Sequence, residues 1–170
     1  MPVTITPEQL YFGAPTTLTY GGVEVGGTID APKVTITPTV YTPEFQNAKG
    51  PILSTDIVTK VLVAVEFTVN QITAAKLAWG MPGATSSGGT GPGTITWTPG
   101  RLASGDYQDL ILVGPGLDGR TMTVTINNAI SVQPIEIDFS NTAVAGIKCK
   151  FEGRYAAATP TLAPFQVALT

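Results

Sequence analysis

The side chains that could do chemistry in this chain are few, and a missing residue type narrows them further. There is no histidine, which removes Ser-His-Asp triads, imidazole metal sites and most general acid-base schemes. Acidic residues that could pair as glycosidase carboxylates or bind calcium reduce to Asp106 with Asp109, or Asp30 with Asp138. Asp118-Gly119 reads instead as a hairpin turn between Leu117 and Thr121. The stretch Gly83-Ala84-Thr85-Ser86-Ser87-Gly88-Gly89-Thr90 has the outline of a phosphate-binding loop, but Gly89 stands where the lysine that meets the phosphates belongs. The stretch also follows a helical pattern, whereas a phosphate-binding loop joins a strand to a helix, so it reads as a surface loop. Cys149 sits on an alternating run, with Ile147 and Phe151 on its side and Lys148, Lys150 and Glu152 on the other. That makes it an inward-facing core residue, with no thiolate-stabilising motif beside it. Trp97 and Tyr107 could form a sugar-binding face, although core packing is the default for such rings. No catalytic constellation, metal site or cofactor is expected.

The elements that would carry these residues are strands. In Ile57 to Val69 the odd positions Ile57, Val61, Val63, Val65, Phe67 and Val69 are apolar, with Thr59 the exception, and Asp56, Lys60 and Glu66 fall on the other parity. This predicts a strand with one buried face, spanning about 40 Å at ~3.3 Å per residue. Val34, Ile36 and Val40 alternate with threonines around Pro38, which must lie on an edge or a bulge. Met122, Val124 and Ile126 continue the pattern. Parity then switches between Ile130-Val132 and Ile135-Ile137-Phe139, predicting a bulge at Gln133-Pro134. Leu110-Ile111-Leu112-Val113 reads as a strand covered on both faces. One helix is expected, capped by Asn70 or Thr73, running from Ala74 to Trp79 and stopped at Gly80. The glycine- and serine-rich stretch 80–93 reads as a flexible loop. The fold class is mainly β: a two-sheet β-sandwich or partly closed barrel with one short flanking helix, in a single domain over residues 1–170.

Composition points to how such a domain lives. Its 170 residues can bury a core without staples, at roughly 70% of the unfolded surface. A lone cysteine excludes an intramolecular disulfide. The first residues lack the pattern of a signal peptide, and no apolar run approaches the ~18 residues of a membrane span. Charged residues are only 12% of the chain, against ~25% in ordinary soluble domains. A surface this neutral is expected to end up against other subunits. A net charge of −3 and scattered basic residues argue against a nucleic-acid grip. The segment 41–53, with Phe45 among polar residues, is longer than the ~2–5 residues of a hairpin loop and reads as a contact arm.

The order of these features resembles the major tail tube proteins of bacteriophages with long non-contractile tails. The resemblance runs from Pro2-Val3-Thr4-Ile5-Thr6-Pro7 through the Gly21-Gly22-Val23-Glu24-Val25-Gly26 turn. It continues through the long loop with Lys49-Gly50-Pro51-Ile52, the long strand, and the helix with Ala74-Ala75-Lys76-Leu77-Ala78. It covers most of the chain and rests on order and spacing. It implies a structural role without enzymatic activity: subunits forming rings, commonly hexamers, that stack into a tube for viral DNA ejection. On that resemblance the inter-ring contacts fall to Tyr41, Pro43, Glu44, Phe45, Gln46, Asn47, Lys49 and Pro51. Asp56, Lys60 and Glu66 become candidates for the lumen. The partners implied are further copies of the chain, a tape measure protein and the tail tip and terminator proteins, with DNA passing through unbound and no membrane insertion. The chain would be made in the host cytoplasm and end in the virion tail. Alternatives are a type VI secretion-like tube, a capsid decoration protein, or a carbohydrate-binding β-sandwich.

Overall fold

The computed structural model describes residues 15–28, 30–44, 50, 52–88, 92–115, 119–133, 135 and 146–170. Within them run β1 (Thr17–Tyr20), β2 (Val23–Glu24), β3 (Lys33–Tyr41), β4 (Ile57–Val69), α1 (Ala74–Trp79), β5 (Ala84–Ser86), β6 (Ile95–Trp97), β7 (Gln108–Pro115), β8 (Thr121–Ser131), β9 (Ile147–Glu152) and β10 (Phe165–Leu169). The fold is mainly β and sandwich-like. Eight strands form one antiparallel sheet in the order β2-β1-β7-β8-β9-β4-β3, with β10 on β8, while β5 and β6 make a separate pair. The terminal strands β2 and β3 do not pair with each other, so among the described residues the sheet stays open.

The sheet doubles over at β8. Along Met122–Ile126 this strand lies between β7 and β10, and at Ile130–Ser131 it pairs with β9 instead. Between the two stretches β7 advances from Gln108 to Leu110 while β8 retreats from Ala129 to Ile126, so β8 holds one extra residue. Asn128 absorbs it with φ of 50°, a left-handed conformation that asparagine tolerates better than most residues. Its N–H donates to the Asp109 carboxylate at 3.0 Å, and its side-chain amide donates to the Arg154 carbonyl at 3.3 Å. The sequence did not anticipate this bulge; the separate parity switch expected at Gln133-Pro134 is not part of it. Pro134 and residues 136–145, with the strand expected there, lie outside the described residues.

The two leaves close on one apolar cluster. Leu18, Tyr20, Leu110, Leu112, Val124 and Ile126 come from one leaf, and Val63, Val65, Phe67, Val69, Ile147, Cys149 and Phe151 from the other. Tyr20 and Phe151 meet across them with ring centroids 4.7 Å apart, and Phe151 stacks on Phe67 at 5.6 Å and 5°. Cys149 is buried as expected, and burial pushes its thiol up to about 11. Gly153 sits where the leaves pinch together: a Cβ there would stand 2.8 Å from a Val63 methyl and 2.9 Å from an Ile126 methyl. In the Leu110–Val113 run, Leu110 and Leu112 are buried whereas Ile111 and Val113 are only half-buried. The run is thus covered fully on one face, not on both.

Thr73 caps α1, its hydroxyl accepting the Lys76 N–H at 3.3 Å. Gly80 ends the helix, yet with an ordinary φ of −75°. Its lack of a side chain leaves room for Ile135, whose Cδ1 would lie 2.7 Å from a Cβ at this position. The stretch 80–93 is not the unstructured loop expected. Ala84–Ser86 pairs antiparallel with Ile95–Trp97, and the Ser87 carbonyl would be 1.7 Å from a Cβ at Gly93. Here small residues permit close backbone approach rather than freedom.

Candidate assembly surface

The candidate contact arm and lumen face both belong to the β3–β4 hairpin, and its neighbours define where support ends. β9 pairs with β4 over Ala64–Val69. Past that, the Gly153 N–H donates to the Val63 carbonyl at 3.1 Å. The Tyr155 hydroxyl then takes the place of a strand, accepting the Val61 N–H at 2.9 Å and donating to the Val61 carbonyl at 3.1 Å. From Lys60 back to Ile57, β4 pairs only with β3. Pro38 lies in β3, which has no second neighbour among the described residues, in keeping with its missing N–H, and the register shifts one residue later between Thr39 and Val40.

This outer end of the hairpin is apolar and uncovered. Val40, Tyr41, Ile57 and Val58 are each more than half exposed, and Leu53 is 93% exposed. The alternation that assigned Ile57 to a buried face holds from Val63 onward and fails here, because among the described residues no second leaf lies opposite. The Thr42 hydroxyl donates to the Asp56 carboxylate and ties the two limbs together at the loop base. The Thr55 hydroxyl donates to the Ile52 carbonyl at 2.7 Å, and Ser54 takes a left-handed φ of 67°. Of the contact residues read from the sequence, Tyr41 and Glu44 are exposed and Pro43 is half-buried. Phe45, Gln46, Asn47, Lys49 and Pro51 lie outside the described residues.

Asp56, Lys60 and Glu66 are all exposed. Lys60 and Glu66 share the outward face of β4, but they do not stand alone there. Register sets Lys33 and Lys150 on either side of Glu66, and Lys148 beside Thr68. The Lys150 ammonium reaches Glu66 at 3.0 Å, and Arg154 pairs with Glu152 at 2.9 Å. The sequence alone did not group these lysines. Their parity was visible, but the register that aligns β3, β4 and β9 was not.

The groups considered for catalysis are spoken for. Asp106 accepts the Ala103 N–H at 2.7 Å, capping a single 3₁₀ turn at Ser104–Asp106, and Asp109 holds the bulged Asn128 N–H. Asp138 lies outside the described residues. A cleft of about 380 Å³ runs between α1 and this turn, lined by Tyr20, Trp79 and Asp106 among others. Burial, with a smaller contribution from the Asp106 charge, pushes the Tyr20 phenol up to about 12. Its hydroxyl donates to the Ala129 carbonyl at 3.2 Å. Trp97 is exposed, its indole N–H committed to the Pro82 carbonyl at 2.9 Å, while Tyr107 is half-buried. The phosphate-loop outline at Gly83 resolves into the start of the β5–β6 hairpin, with no helix following to receive an anion. Among the described residues no group of three or more Cys, Asp or Glu could hold a metal ion. None of their helices is long and apolar enough to cross a membrane.

What the described surface does offer is a sandwich-like β fold with an exposed apolar hairpin end and strand edges that no other described strand pairs. No protein-family model matches the sequence, and no curated protein matches it.

Proposed function

We propose that the chain is a structural subunit that assembles with copies of itself into stacked rings, forming a tube of the kind found in long non-contractile phage tails. The observation that carries this reading is the outer end of the β3–β4 hairpin, with Val40, Tyr41, Leu53, Ile57 and Val58 exposed. A two-stranded hairpin is marginal on its own in water, and contiguous apolar surface on it marks a binding contact. A neighbouring subunit supplies the missing cover. The low charge of the chain and the edges of β2, β3 and β10, unpaired among the described residues, support the same reading, since an open edge is a joint where another chain can add a strand. The outward face of β3, β4 and β9, with Lys60 and Glu66, is assigned to the channel through which DNA passes during ejection. The tape measure, tail tip and terminator proteins are the further partners.

Negative-stain electron microscopy of the purified chain at rising concentration, with size-exclusion chromatography, tests the proposal. Rings or hollow tubes are expected. A protein that stays monomeric at every concentration and binds a glycan saturably through Trp97 would overturn it in favour of a carbohydrate-binding module.

A further inference from the structure

Charge is divided unevenly between the two outward faces of the sandwich. β1, β7, β8 and β10 contain no lysine or arginine, and their outward residues include Thr17, Thr19, Ile111, Val113, Thr123 and Thr125. The opposite outward face, on β3, β4 and β9, carries Lys33, Lys60, Lys148 and Lys150, four of the nine basic residues of the chain. Two acidic side chains there are already engaged, Glu66 with Lys150 and Glu152 with Arg154. Asp30, at the margin, accepts the Thr68 hydroxyl at 3.3 Å. Lys33, Lys60 and Lys148 have no ion-pair partner among the described residues. With Asp56 at the foot of β4 and Arg154 counted, five cations stand against four carboxylates on this side, so in a chain of net charge −3 this threonine-bearing face carries a small positive excess, which rests on Lys33, Lys60 and Lys148.

We infer that this face makes direct, weak contacts with the phosphate backbone of duplex DNA, and that Glu66 keeps those contacts weak. The inference rests on the tube reading for the identity of the polyanion. It replaces the expectation that DNA passes through unbound. Lys33, Glu66 and Lys150 form one row across three strands, so the two lysines stand about 10 Å apart with a carboxylate between them. That separation is comparable to the Debye length at moderate salt, about 8–10 Å, so a phosphate laid on the row feels both ammonium groups and the carboxylate together. Lysine suits such a contact because its ammonium is a strongly hydrated point charge that meets a phosphate without bidentate locking. Removing the Glu66 charge also frees Lys150, which changes the row from one net positive charge to two.

Fluorescence anisotropy of a labelled short DNA duplex, titrated with the full chain across a series of salt concentrations, tests this directly. The variants are K33Q/K148Q, E66Q, and K76Q as a control on α1, where Lys76 bonds Gln71. All changes are at exposed or half-exposed positions, and circular dichroism checks that each variant is folded. Wild type is expected to bind weakly, with affinity falling steeply as salt rises. K33Q/K148Q should lower the log–log salt slope by about 2, roughly one per lost phosphate contact. E66Q should bind severalfold more tightly, and K76Q should match wild type. Absence of salt-dependent binding, an equal loss in K76Q, or tighter binding of poly-glutamate than of duplex would each overturn the inference, the last by making the face a protein-docking surface. Failure of the tube reading would appear separately, as absence of rings by electron microscopy in wild type.

Discussion

The inner and outer halves of β4 share one sequence pattern and meet opposite fates. From Val63 to Val69 the odd residues are sealed between two leaves, with β9 alongside from Ala64 and β3 alongside as far as Glu66. From Ile57 to Lys60 every residue is exposed, and the strand has a single neighbour. Apolar alternation marks a face that will be covered; it does not say by what. In the inner half the cover is intramolecular and contributes to folding. In the outer half none of the described residues supplies it; under the proposed assembly another copy of the chain does, and the apolar residues there should add little to the stability of the fold itself. The border is narrow, drawn by Gly153 and Tyr155 within a few residues of the end of β9.

Substitutions can break this contrast or sharpen it. The largest effect on folding is expected from Phe151→Ala, which empties the site between Phe67 and Tyr20 and should cost about 3–5 kcal/mol in chemical denaturation. Gly153→Ala comes next, because its methyl must displace Val63, Ile126 or the Pro164 carbonyl, which stands 3.1 Å away. About 1–3 kcal/mol is expected, read as a fall in the denaturation midpoint at constant slope. Tyr155→Phe removes both bonds to Val61 and should cost about 1 kcal/mol. Its sharper signature is faster hydrogen exchange at Val61, with the amides of β9 unchanged. The smallest effect on folding is expected from Ile57→Thr with Val58→Thr, under about 0.5 kcal/mol. The same pair should abolish rings and tubes in electron microscopy. A loss of stability comparable to that of Gly153→Ala would show that the outer half is supported within the subunit and would erase the contrast.

Much of the architecture could be read directly from the residues. The strand Ile57–Val69, the helix Ala74–Trp79 with its Thr73 cap, the inward Cys149 and the edge position of Pro38 each follow from a local rule: side-chain period, capping chemistry or a missing donor. The errors share one cause. Ile57 was assigned to a core face, the bulge at Asn128 was not foreseen, and the stretch 80–93 was assigned to a loop. In each case the deciding partner is not a sequence neighbour: the second leaf, whose described residues stop short of Ile57, the Asp109 carboxylate, and the pairing of Ala84–Ser86 with Ile95–Trp97. The candidate surface divides the same way. Asp56, Lys60 and Glu66 were legible by parity, whereas their companions Lys33, Lys148 and Lys150 come from other strands.

The sequence by itself determined which residues form strands, which way most side chains alternate, and which catalytic schemes a chain without histidine cannot run. These are properties of backbone geometry and side-chain chemistry, and both act over a few residues. Only the tertiary structure decided where the core stops along β4, which glycines are needed for close approach, and that the lysines of three separate strands gather on one face. Those outcomes depend on strand register and on the fold-over at β8, which are fixed by contacts between residues tens of positions apart.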